Sequence, residues 1–328
     1  MNVARIHPLR YDERPHNHHP DLFKALAPYL AQRGHAMIND ASRADAVLFD
    51  SNIWDLGADG RSGVYSPYDK AVLEDVIIRR TPVVFFDNFD YHGYPGYECP
   101  WSGKNDWIDM LKIPDQQWAQ FMYAASRPGN CKILYFMRKM QISQSYPDWV
   151  FPLEYPLFDY YPMASRDALF NRPFDVCLLA NASLPRMNAM DDLKADGRLK
   201  VDAAMMPVRI PHNDWVDRHR QAKLFVEADA SMGSERPQRL MTVAPMLRVR
   251  SDHRLPFPRE DMVHQVTVGD YDGHISRADV DKILSVVNNP DLLFSIYTQG
   301  AQHMVKHYSM DARCTYVIDI MEKLLWSA

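Results

Sequence analysis

Residues 174–204 read FDVCLLANASLPRMNAMDDLKADGRLKVDAA. An apolar run, Phe174–Leu179, gives way to the small polar residues Asn181 and Ser183. A helix is predicted over about Arg186–Lys194, and Leu199–Ala204 turns apolar again. Strand, helix and strand in so short a span form a βαβ unit, whose crossover joins parallel strands.

The same alternation extends in both directions. Upstream, Asn2–His7 is a short strand, and Leu22, Phe23, Leu26 and Leu30 recur at helical spacing before Gly34, a natural helix stop. Pro28 is expected to kink that helix or shift its start. Ala46–Phe49, Val83–Phe86 and Cys131–Phe136 are further strands, with a helical face at Val72, Val76 and Ile77 between two of them. Downstream, Lys223–Ala228 and Met246–Val249 are strands, and Ser276 with Asp279 forms a capping box ahead of Val280, Ile283, Leu284 and Val287. Asn288-Asn289-Pro290 stops that helix. Cys314, Val317, Ile318, Met321, Leu324 and Leu325 mark one face of a closing helix. Asp148–Met163, rich in proline and aromatics without clean periodicity, reads as a connection between two α/β halves. The chain is therefore divided into an N-terminal domain, 1–155, a C-terminal domain, 156–310, and a last helix, 311–328, packing back toward the first.

Composition narrows the function. The 328 residues are 47% hydrophobic and 24% charged with a net charge of -5, an ordinary globular balance that argues against wholesale nucleic-acid binding. Only 13 are glycine, about 4% against a usual ~7%. No G-x-x-x-x-G-K-[ST] and no G-x-G-x-x-G occurs, which removes P-loop NTPases and standard dinucleotide dehydrogenases. Cys99, Cys131, Cys177 and Cys314 form no C-x-x-C, as fits a reduced compartment. Neither a signal peptide nor a membrane span is read, so the expected location is cytoplasmic.

Two stretches resemble known proteins. Ala25–Met37, ALAPYLAQRGHAM, is similar to the first helix and second strand of two-domain GT-B glycosyltransferases, with their L-x-x-x-G-H-x-V pattern. Asp175–Lys194 resembles the start of the C-terminal domain in the spore-maturation (CgeB-like) group of glycosyltransferases. There a strand leads into a small polar loop and a helix-opening arginine, here Asn181, Ser183 and Arg186. Arg220–Ala228 is similar to the group's S-K-x-x-L segment, with Ala222 for serine and Lys223 kept. Pro237–Val249 and Asp311–Met321 resemble its later stretches, so that the likeness covers about residues 174–325. Two positions depart: Met241 or Thr242 stands where the group has a helix glutamate, and Ala244-Pro245 where it has glycine. Glu227 and Glu235 have the E-x7-E spacing of retaining enzymes, but Glu227 falls inside a strand.

The resemblance implies a GT-B fold, two Rossmann-like α/β domains with parallel sheets facing across a cleft. It further implies a glycosyltransferase using a nucleotide-diphosphate sugar as co-substrate, with no other cofactor and no metal. The departures favour inversion. Departure of the sugar builds charge on the diphosphate, which arginines, hydroxyls and helix N-termini stabilise. Ser234, Glu235, Arg236 and Arg239 follow a strand and suit that task, with Asn181, Ser183, Arg186 and Lys223 in support and Glu235 placed for ribose hydroxyls. An acceptor hydroxyl also needs one base within hydrogen-bond reach. Ligands of doubly wound folds gather at the carboxyl ends of strands, which selects Asp90 and His16, with Asp87 fixing the loop. Tyr91, Tyr94 and Trp101 form a candidate acceptor wall, since aromatic faces stack on sugars and bases alike. His16-x-His18-His19 reads as solvated loop, and Asp270-Tyr271-Asp272 as loop acid. The acceptor stays open among glycan, protein, small molecule and modified DNA base. A nucleotide-sugar epimerase of the same fold and a non-catalytic nucleotide-sugar-binding module are the alternatives.

Overall fold

A computed structural model describes residues 1–6, 22–50, 75, 78–87, 133–137, 140, 142–143, 145–146, 148–154, 156–157, 160–205, 211–228 and 236–326. The chain falls into two compact units, one of Met1–Met140, Gln144–Leu153 and Cys314–Ala328, the other of Gln141–Ser143 and Glu154–Arg313.

The first unit holds β1 (Asn2–Ile6), α1 (Leu22–Gln32), β2 (Ala36–Ile38), β3 (Ala46–Asp50), β4 (Val83–Asp87), β5 (Ile133–Met137) and β6 (Val150–Pro152). Its sheet has the order β2-β1-β3-β4-β5-β6, and every pairing is parallel. Pro28 lies inside α1 without shifting its start from Leu22. Proline forfeits one backbone hydrogen bond there, and the fully buried Leu26 and Leu30 hold that face against the sheet regardless. β6 lies within the stretch that reads as a connection, and its proline closes an edge strand, where a missing N–H is tolerated.

The second unit holds α2 (Arg166–Phe170), β7 (Phe174–Ala180), α3 (Leu184–Asp196), β8 (Val201–Met205), α4 (His212–His219), β9 (Ala222–Glu227), α5 (Arg236–Leu240), β10 (Met246–Val249), β11 (Val266–Val268), α6 (Arg277–Val287) and α7 (Pro290–Tyr308). Its order is β11-β10-β9-β7-β8, again wholly parallel. The two Rossmann-like parallel-sheet units read from the sequence are thus present. Val176, Leu178 and Ala180 of β7 enter one core, while Cys177 and Leu179 enter another on the opposite face. Burial on both faces is why β7 reads as a continuous apolar run with no alternation.

The capping box at Ser276 and Asp279 forms as read. Asn288-Asn289-Pro290 does stop α6, yet it also starts α7: the Asn289 side chain accepts from the Leu292 N–H and Pro290 takes the first helical position. α8 (Met310–Met321) follows, and from Cys314 onward it belongs to the first unit, ending in a π-helical turn at Glu322–Trp326. Within that unit Arg33 pairs with Asp319 at 2.8 Å and Glu322 at 3.0 Å, and Tyr316 donates to the Pro152 carbonyl at 3.1 Å.

Gly34 and Gly273 both adopt positive φ, 77° and 92°, but their surroundings differ. A Cβ at Gly34 would meet open space, whereas one at Gly273 would collide with the backbone of Pro185 at the start of α3. Gly34→Ala should therefore cost only left-handed strain, about 1–2 kcal/mol, and Gly273→Ala should cost more in urea unfolding. Equal costs would show that the loop before α6 yields freely.

Candidate functional site

From β7 the chain crosses to β8 on one side and then returns to β9 on the other, so the strand order reverses between β7 and β9. In open parallel sheets ligands sit outside the carboxyl ends of strands beside such a reversal. There β7 runs into Asn181-Ala182-Ser183 and α3, while β9 ends at Glu227 and leads toward α5. Ser183 is the N-cap of the 13-residue α3 and is extended, but its side chain makes no capping hydrogen bond. Its Oγ is buried and has no hydrogen-bond partner among the described residues. Arg186, in the first turn, donates from Nη1 to the Asn181 carbonyl at 3.3 Å, closing the loop and holding a guanidinium at the start of the helix. A hydroxyl, orphan N–H groups and a fixed cation in one place suit a multivalent oxyanion.

The other residues singled out by sequence fall variously. Arg239 lies in α5 beyond β9 and is partly exposed, while its neighbours Pro237, Gln238 and Leu240 are buried. Arg236 opens that helix and Asp87 ends β4, their side chains lying outside the described part. His16, Asp90, Tyr91, Tyr94, Trp101, Ser234 and Glu235 lie outside the described residues. Lys223 is not gathered with the rest. As the second residue of β9 it sits at the amino end of the sheet, 3.0 Å from Asp175 and 3.2 Å from the Val287 carbonyl, over the Phe170 ring. Asp270 accepts from the N–H groups of Asp272 and His274 at 3.0 and 2.9 Å, so its carboxylate shapes its own turn.

Sequence reasoning missed a buried ionic cluster at the carboxyl ends of β9 and β10. Glu154 is 3% exposed and accepts at 3.2 Å from both Arg259 Nη2 and Gln238 Nε2, with His253 Nδ1 3.8 Å away. Burial alone would raise the Glu154 pKa. Arg259, His253, Arg248 and Arg313 outweigh it and hold the carboxyl below its ordinary range. Arg259 has a fully buried side chain and lies over the Tyr308 ring at 4.9 Å, its Nε and Nη1 unpartnered among the described residues. Arg248, opposite Glu227 in the β9–β10 register, donates to Ser251 Oγ at 2.6 Å. The one signal in the sequence was a lone carboxylate within the apolar run Val150–Leu157.

A row of imidazoles flanks this cluster. The ring centroids of His264 and His303 are 4.4 Å apart and those of His303 and His307 4.7 Å, with His307 stacked on Phe257. The turn carrying His264 docks on α7 at Gly300, where a Cβ would press on the His264 carbonyl. Among the described residues no group of three His, Cys, Asp or Glu side chains is placed to hold a metal ion, and no helix is long and apolar enough to cross a membrane.

The sequence matches no family model and no curated protein. Among solved structures the chain is similar to a glycosyltransferase from Rickettsia africae, at 9% identity and a TM-score of 0.48, over 100% of this chain and 99% of that one. It is also similar to sucrose-phosphate synthase from Thermosynechococcus elongatus, at 11% identity and a TM-score of 0.47, over 100% of both chains. A third is an alpha-glucosyltransferase solved with UDP and a 13-mer DNA containing an HMU base, at 8% identity and a TM-score of 0.46, over 98% of this chain and 99% of that one.

The imidazole row has a consequence for pH. Burial, then the charges of His264 and Arg259, lower the His303 pKa to about 4 against the weaker pull of the Phe257 carbonyl. Unfolded, the ring titrates near ~6.5. Between those values the unfolded chain binds a proton that the folded chain refuses, so stability falls as pH drops through this window. His303→Gln should flatten that limb of the curve of unfolding free energy against pH. An unchanged slope would remove His303 as its source.

Proposed function

We propose that this chain is a GT-B glycosyltransferase of the CgeB-like kind that residues 174–325 resemble, moving a sugar from a nucleotide-diphosphate sugar to a hydroxyl acceptor. The observation that carries the reading is the convergence at the β7–β9 reversal. There the N-terminus of α3, the buried hydroxyl of Ser183, unpartnered among the described residues, and the tethered guanidinium of Arg186 meet, with Arg239 on the segment that leaves β9. Negative charge grows on the departing diphosphate as the sugar–oxygen bond lengthens. Donors already aimed at that charge stabilise the transition state more than the ground state. Helix N–H groups and guanidinium groups supply this without a metal, and Asn181, Arg236, Ser234 and Glu235 are assigned to the same donor. Lys223 is assigned to bracing the sheet.

Inversion is favoured because Met241 and Thr242, where a glutamate would serve retention, are buried 1% and 0% exposed, and Thr242 Oγ1 is occupied by the Tyr161 N–H at 3.1 Å. One base then suffices: it takes the acceptor proton as the hydroxyl attacks the anomeric carbon and the nucleotide diphosphate leaves. Asp90 or His16 fills that role, on segments that follow the carboxyl ends of β4 and β1, with Asp87 in support and Tyr91, Tyr94 and Trp101 against the acceptor.

A panel of nucleotide sugars should raise the melting temperature, and the one that does so should release free nucleotide when an acceptor is supplied from a set of glycans, proteins, small alcohols and hydroxymethylated DNA. Arg186→Ala and Arg239→Ala should each weaken donor binding about tenfold to a hundredfold, the worth of a charge-assisted hydrogen bond. Donor turnover to an isomer without acceptor would identify an epimerase instead. The absence of both a thermal shift and nucleotide release with every donor would sink the reading.

A further inference from the structure

We propose that Glu154 is a positioning residue for the donor site, acting through Gln238 to orient α5 and Arg239. The inference rests on the donor reading above and adds to it a residue outside any donor contact. Gln238 sits one position before Arg239 and is 1% exposed. Its Nε2 donates to Glu154 Oε2 at 3.2 Å, the same oxygen that accepts from Arg259 Nη2 at 3.2 Å. α5 is only five residues long, too short to hold its own orientation by backbone hydrogen bonds. The burial of Pro237 and Leu240 and the side-chain bond from Gln238 to Glu154 help to fix it. With Gln238 turned inward, Arg239 is the one residue of 237–240 that retains exposure.

The anchor itself is stiff. One Glu154 oxygen serves both donors, and Arg259, His253, Arg248 and Arg313 outweigh burial to hold the carboxyl below its ordinary range. The Arg259 guanidinium, its side chain fully buried and packed on Tyr308, has Glu154 as its hydrogen-bond acceptor among the described residues. A buried, mutually paired set of this kind has few alternative arrangements. Glu154 is also the first residue of the second unit after Leu153 of the first. Its carboxylate therefore ties α5 to one of the points where the chain passes from one unit to the other.

The test uses inorganic pyrophosphate as probe and isothermal titration calorimetry on the full chain. Glu154→Gln keeps the shape of the side chain and removes its charge; Gln238→Leu removes the tether and leaves the Glu154–Arg259 pair intact. Each should weaken pyrophosphate binding roughly tenfold to a hundredfold, as misplacement of a binding group by about an ångström does. Glu154→Asp should recover part of the loss. The decisive comparison is with Arg239→Ala: if Glu154 acts through that arginine, adding Glu154→Gln to it should cost little further affinity. A purely structural role would instead give losses that add in full, and that result overturns the proposal, as does binding by Gln238→Leu equal to that of the native chain. If Glu154→Gln does not fold, Gln238→Leu alone and paired with Arg239→Ala decides in the same way. Failure of the native chain to bind pyrophosphate also overturns it. Pyrophosphate binding that depends on Glu154, without nucleotide release from any sugar donor, would leave the positioning role standing and remove the transferase reading.

Discussion

Both sheets consist of parallel strands alone, and that constraint organises everything else. A parallel strand cannot return by a tight turn, so each connection must cross a face of the sheet, and central strands become buried on both sides. β7 meets this demand with Val176, Leu178 and Ala180 in one core and Cys177 and Leu179 in another. Because β8 lies on one side of it and β9 on the other, the first crossover helix, α3, starts beside the point where the order reverses. The proposed anion-binding role of Asn181–Arg186 rests on that placement: the same loop elsewhere on the sheet would be an ordinary helix start.

Charge is distributed along the sheet with different consequences at its two ends. At the amino end Lys223 and Asp175 pair at 3.0 Å with both side chains nearly buried, and the Lys200 N–H occupies the second carboxylate oxygen. That arrangement is closed, its donors and acceptors spent on each other. At the carboxyl end Glu154 shares one oxygen between Arg259 and Gln238, while Arg248 and Glu227 stand side by side on adjacent strands. Buried ions cost desolvation free energy that their attraction offsets only in good geometry, so stability alone is weak justification for such a cluster. Fixing the five-residue α5 through Gln238 is a justification that geometry can supply.

Most of the fold was legible because parallel strands write themselves as apolar runs. Met246–Val249 is read to the residue, and Val201–Met205 lies within two residues of its expected span. α7 was not foreseen, since Asn-Asn-Pro serves equally as a stop and as a start. Its apolar positions Leu293, Ile296, Tyr297 and Met304 were visible, but Gly300 and the polar residues around it obscure the period; Gly300 is small because the His264 carbonyl packs on it. β11, three residues long, is too short for any periodic signal. Of the residues proposed for the donor, Asn181, Ser183 and Arg186 were grouped because they are neighbours in one loop, and they lie together at the start of α3. Lys223 was grouped with them by pattern, and its register at the amino end of β9 separates it.

The sequence by itself determined the alternation of strands and helices, the Ser276–Asp279 capping box, and the small polar loop that opens α3. These depend on contacts between residues close along the chain, where spacing is geometry. Only the tertiary structure decided which strands lie side by side, and hence that the Asn181 loop stands at a reversal of order while Lys223 stands at the opposite end. Only it could join Glu154 to Gln238, 84 residues on, and to Arg259, 105 residues on. Burial converts these distant side chains into one charged unit, because away from water each depends on the others for its counter-charge and hydrogen bonds.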